Sequence, residues 1–94
     1  MNPEAELYDD LVEWMGEERQ LNQAVEEFCE VAVALRHLVR GRARGLNHLM
    51  TELAQADIMR AQIERILRIE DRMPVVRAGE LARLRERLDS GELS

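Results

Sequence analysis

The chain has 94 residues, with 13 basic side chains, all of them arginine, against 19 acidic ones, for a net charge of −6. That length fits one domain, read as residues 1–90 with 91–94 as a frayed end, and the scarcity of aromatics, proline and glycine excludes a β-sandwich or barrel in favour of helix. The acidic balance argues against DNA as a partner, the single Cys29 rules out an internal disulfide or a multi-cysteine zinc site, and no apolar run is long enough to span a membrane. A small cytoplasmic all-α protein is the expectation.

Four helices are predicted in chain order. The first covers about Pro3–Met15, with Asn2 as N-cap, Pro3 in the first turn and Gly16 as the break. The second spans Glu17–Val39. The third runs Leu46–Ile69, between Gly45 and Pro74, and the fourth from about Pro74 to Leu88, where Leu81, Leu84 and Leu88 repeat at i, i+3, i+7. Together they predict a four-helix antiparallel bundle. A chain of this size buries only about 60–65% of its extended surface, so a core completed by oligomerisation is expected.

Helical wheels sort the two long helices. On the second, Leu21, Val25, Phe28, Val31, Ala32, Leu35, Leu38 and Val39 form an apolar arc, read as ordinary core. Beside it runs a strip of Gln20, Gln23, Glu27, Glu30, Ala34 and His37, in which Glu27 and Glu30, three residues apart, point the same way. On the third, Leu49, Leu53, Ala56, Met59, Ile63, Ile66 and Leu67 form the arc, and Glu52 falls inside it. A carboxylate facing a core costs several kcal/mol unless it is paired or holds a cation, with about that magnitude expected here. Gln55 lies at the arc's edge, whereas Asp57 is about 140° away from Glu52.

Hard divalent cations take oxygen ligands. A Glu27–Glu30 pair facing Glu52 across an antiparallel neighbour offers such a set, and a Mg²⁺ there could bridge triphosphate oxygens, offset their charge and activate water. The competing reading leaves Glu27 and Glu30 solvated, or paired with arginine across the bundle.

The ordered motifs Gly16-Glu-Glu-Arg-Gln20, Gln23-Ala-Val-Glu-Glu-Phe-Cys-Glu-Val31, Arg40-Gly41 and Thr51-Glu-Leu-Ala-Gln-Ala-Asp-Ile-Met59, followed by Leu81-Ala-Arg-Leu-Arg-Glu-Arg-Leu88, resemble the MazG-like all-α nucleoside triphosphate pyrophosphohydrolases, in particular their compact, phage-type members. Glu26, Glu27 and Glu30 match the EExxE motif. The resemblance covers roughly Leu7–Leu88. It implies a homodimer or homotetramer that hydrolyses a nucleoside triphosphate to monophosphate and pyrophosphate with Mg²⁺, Mn²⁺ being the alternative ion. Glu27, Glu30 and Glu52 would be catalytic metal ligands, with Gln55 at the position of the ExxD aspartate. Gln20, Gln23 and Arg40 would lie on the substrate side. Two departures stand out: Gln55 replaces the aspartate and Thr51 replaces the first glutamate of EExxD, so one of four formal negative charges is missing. The chain is accordingly expected to be either such an enzyme or a weakened relative that binds nucleotide or a protein partner.

Other residues are read more plainly. Arg36, Arg40, Arg42 and Arg44 complement the end of the second helix, Arg40 being the best placed to grip phosphate. Cys29 is expected to be a packed thiol and Trp14 to pack at the bundle end. His37 is expected on a surface or between helices, and Met50 and Met59 as filler. The Arg-Glu mixture of residues 80–87 should form a solvated face.

Overall fold

The computed structural model describes residues 2–41 and 45–93, and among these every regular element is helical. Helix α1 is Pro3–Met15, α2 Glu17–Val39, α3 Leu46–Ile66 and α4 Met73–Asp89. Asn2 caps α1 through Oδ1, which accepts from the amides of Glu4 and Ala5 at 3.0 and 3.3 Å. Gly16 ends α1 and opens α2 at φ 86°, a conformation that strains any residue carrying a Cβ, while its amide donates to the Val12 carbonyl at 2.7 Å. Arg42 and Arg44, two of the four arginines grouped at the end of α2, lie outside the described residues.

Helix α3 ends three residues earlier than the sequence suggested. Arg68 adopts φ 58°, so the amide of Ile69 reaches the Glu64 carbonyl at 2.9 Å and that of Arg68 reaches Arg65 at 3.2 Å. This double closure is the Schellman pattern that glycine usually provides. With arginine in the left-handed position, no residue type signalled the stop. At the end of α4 the same closure is made by Gly91, at φ 80°.

Helices α2 and α3 run antiparallel, pairing His37 with His48 in one cleft, Glu30 with Glu52 at mid-length, and Glu17 with Gln62 in another cavity. Helix α1 closes the lower end, where its Tyr8 is buried. The buried side chains are Tyr8, Gln20, Ala24, Ala34, Ala56, Met59 and Gln62. Small alanines let α2 and α3 approach closely, which leaves few large apolar groups inside.

This corrects the reading of α2. Its inward line is Gln20, Ala24 and Ala34, within or beside the strip taken as polar, whereas Val25, Phe28, Leu35 and Val39 of the apolar arc are exposed. Cys29 is exposed instead of packed, and Trp14 is 79% exposed instead of seated at the bundle end. Met59 is buried but Met50 is not. Helix α4 contributes no buried residue. Its polar face is solvated as expected, with Arg83 bridging to Glu80 and Arg85 to Asp89.

Candidate metal centre

The i, i+3 spacing on α2 and the antiparallel register of α3 bring three carboxylates into one place. Ligand atoms of Glu27, Glu30 and Glu52 lie within 4.8 Å of one another. Glu27 and Glu52 are half-buried, and each has an Oε2 that is buried and accepts no hydrogen bond. The other oxygen of Glu27 accepts from Gln23 Nε2 at 3.2 Å. The other oxygen of Glu52 lies 4.0 Å from His48 Nε2, one turn earlier on α3. Among the described residues no arginine pairs with any of the three.

Electrostatics follow from this geometry. The Glu30 carboxyl is pushed above its ordinary value, first by loss of water on its inward side, then by the charge and hydrogen bonding of Glu52 and the charge of Glu26; His48 opposes the rise. Three negative groups held together with two orphan oxygens are an unstable arrangement in isolation. The donor set is all oxygen, which suits Mg²⁺, Mn²⁺ or Ca²⁺ and disfavours thiophilic ions. The residues therefore fit a hard divalent cation. Next to them opens a cleft of about 340 Å³, lined by Cys29, Glu30, Val33, Ala34, His37, His48 and Glu52.

The remaining candidates distribute unevenly. Gln23 touches the cluster through Glu27. Gln20 is 4% exposed and its Nε2 donates to the Met15 sulfur at 2.9 Å, so its amide serves the α1–α2 corner. Gln55 is exposed on α3. Arg40 is exposed at the C-terminus of α2, its backbone amide bonded to the Arg36 carbonyl at 3.1 Å. The structure also reveals a residue that sequence reasoning passed over. Among the described residues Gln62, 2% exposed, is the most deeply buried polar side chain, and its Nε2 has no hydrogen-bond partner there. Its position on the edge of the α3 arc, three residues after Met59 and four before Ile66, was the available signal.

Comparisons with protein-family models, curated proteins and solved structures found no match for this chain.

Proposed function

We propose that the chain is a Mg²⁺-dependent nucleotide pyrophosphohydrolase of the MazG-like kind, converting a nucleoside triphosphate to the monophosphate and pyrophosphate. The observation that carries this reading is the convergence of Glu27, Glu30 and Glu52 with two buried oxygens unpartnered and no arginine to neutralise them. Those three residues would hold the ion, which when bound supplies charge neutralisation and polarisation of phosphate oxygens. Gln23 fixes the orientation of Glu27 by donating to it. His48, set against Glu52, and His37 would contact the phosphate chain from the cleft wall. Gln55, at the position of the missing acid, contributes at most a neutral carbonyl oxygen, so turnover is expected to be slow.

A homodimer or homotetramer is part of the proposal. The chain exposes 7556 Å² for a mass of 10.9 kDa, where a compact monomer of that mass presents about 5,600 Å². The excess, roughly 2,000 Å² per chain or about 4,000 Å² summed over two copies, falls in the range of obligate homodimer interfaces. Phe28 and Leu35 on α2, with Leu81, Leu84 and Leu88 on α4, supply exposed apolar surface for a second copy. The substitutions at Thr51 and Gln55 favour one alternative, a module that binds nucleotide without efficient hydrolysis.

Pyrophosphate release measured over the common ribo- and deoxyribonucleoside triphosphates, with Mg²⁺ and Mn²⁺, tests the reading. Slow release by the wild type, raised by Gln55→Asp and abolished by Glu27→Gln, is expected. No release from either wild type or Gln55→Asp, with nucleotide binding intact, would favour the binding module.

A further inference from the structure

Glu52 has a neighbour whose chemistry the three carboxylates do not supply. His48 lies one turn earlier on α3, at the i, i+4 interval that lets two side chains on one helix face chelate a single ion. Its Nε2 stands 4.0 Å from Glu52 Oε1, too far for a hydrogen bond, so the nitrogen faces the carboxylate without being consumed by it. Neither ring nitrogen has a hydrogen-bond partner among the described residues. Two ligands set at right angles about 2.1 Å from an octahedral ion are about 3.0 Å apart. Closing the gap therefore takes about 1 Å, which a side-chain rotation supplies. The His48 side chain is 42% exposed and has room to turn, whereas Glu52 is 13% exposed and holds its buried, unpartnered Oε2 in place.

Position and charge single out this histidine. His37, on the same cleft, is two turns beyond Glu30 on α2, about 10 Å along the axis, and is not at a chelating interval. Gln55, expected from the sequence to complete the ligand set, is exposed. Three carboxylates already outweigh the charge of a divalent ion, and a neutral imidazole adds a donor without adding to that excess. We infer that His48 is the fourth protein ligand of the centre, making it a three-carboxylate, one-imidazole site that prefers a first-row transition dication such as Fe²⁺ or Co²⁺ to Mg²⁺. The inference rests on the reading of Glu27, Glu30 and Glu52 as cation ligands, and adds the donor that decides which cation is preferred. Imidazole suits the transition ions, whereas Mg²⁺ and Ca²⁺ favour oxygen. His48 then reaches the phosphate chain through the ion, and direct contact from the cleft wall is left to His37.

Electron spin-echo modulation of the Mn²⁺-loaded chain, without nucleotide, reads the ligand directly, because the nitrogen of a bound imidazole couples to the unpaired electrons of the ion. Nitrogen coupling in the wild type, lost in His48→Gln while Mn²⁺ still binds, is the expected result. Calorimetric titration of the separate ions reads the selectivity. His48→Ala should weaken Co²⁺ binding by about 100-fold and Mg²⁺ binding by less than about threefold. His48→Gln, which offers an oxygen in place of the nitrogen, should keep the Mg²⁺ affinity and lose the preference for Co²⁺. Neither change removes a core contact, since the ring is half in solvent. Mn²⁺ binding without nitrogen coupling, coupling that survives His48→Gln, or equal losses of Co²⁺ and Mg²⁺ affinity in His48→Ala would overturn the assignment while leaving the three glutamates as a cation centre. Failure of the wild type to bind Mn²⁺, Co²⁺ or Mg²⁺ would overturn the cation reading, and this inference with it.

Discussion

Helix α3 takes part in two acidic groups that are built from the same residue types and end in opposite states. Towards its C-terminal half, Asp57 and Glu64 flank Arg60, whose Nε and Nη2 donate to Asp57 at 3.2 and 3.0 Å while Nη1 donates to Glu64. One turn upstream, Glu52 meets Glu27 and Glu30 of α2 with no arginine in reach. In the first group the cation is written into the sequence at i+3 and i−4, so the charges are closed locally, Asp57 in solvent and the half-buried Glu64 matched by Arg60. In the second the negative charges come from two helices, are partly dehydrated, and have two oxygens without a donor. The difference teaches that an acidic excess is informative only after arginine partners are subtracted. What remains unneutralised is the cluster at which the proposed cation would bind.

Substitutions can break this contrast, and the largest effect should be on cation affinity. Glu27→Gln or Glu52→Gln is expected to weaken Mn²⁺ binding by roughly 100-fold, since even outer-shell partners of metal sites carry about 10–100-fold. Arg60→Ala should leave it unchanged. Calorimetric or electron paramagnetic titration reads both.

Stability without metal should move the other way. Removing one charge relieves repulsion in the cluster, so Glu52→Gln should raise the Tm of the metal-free protein by about 4 °C. Added Mg²⁺ should raise the Tm of the wild type but not of the variant, a reversal of rank that differential scanning fluorimetry detects.

A pH series sharpens the same point. Because the folded Glu30 pKa is raised, the native state holds this proton more tightly than the unfolded chain does. Its contribution is therefore fully favourable below the ordinary glutamate value of 4.5 and is lost as pH rises through the higher folded value. Asp9 has the opposite sign: Arg65 lowers its pKa, so its stabilisation is present above the usual aspartate range and lost on acidification. The difference in Tm between wild type and Glu30→Gln across acidic pH should isolate the Glu30 part, and Mg²⁺ should suppress it. Arg60→Ala, which leaves the half-buried Glu64 carboxylate without its partner, should leave cation binding alone and cost about 1–3 kcal/mol in urea unfolding.

Much of the helical framework was legible because its boundaries are marked by residues with local mechanisms: Asn2 and Pro3 at the start of α1, Gly16 at the break, Gly45 before α3 and Pro74 at the start of α4. The stop of α3 was not, since Arg68 adopts the left-handed conformation without a residue type that announces it. The grouping of Glu27, Glu30 and Glu52 could be read from one i, i+3 interval and one acid inside an apolar arc. The inward face of α2 could not be read from hydrophobicity. Close approach to α3 selects the small Ala24 and Ala34, while the larger side chains of the arc stay outside, where a single chain gives them nothing to cover. Gln62 was missed for a related reason: a glutamine at the margin of an apolar arc looks like its solvated edge, and only the fold shows it sealed beneath α1.

The most direct measurement is an anomalous difference map from a crystal soaked in Mn²⁺. A peak within coordination distance of Glu27, Glu30 and Glu52, lost in Glu52→Gln, is the expected result. A map with no peak there, or with Mn²⁺ only at Asp57 and Glu64, would contradict the assignment of the unneutralised cluster as a metal centre.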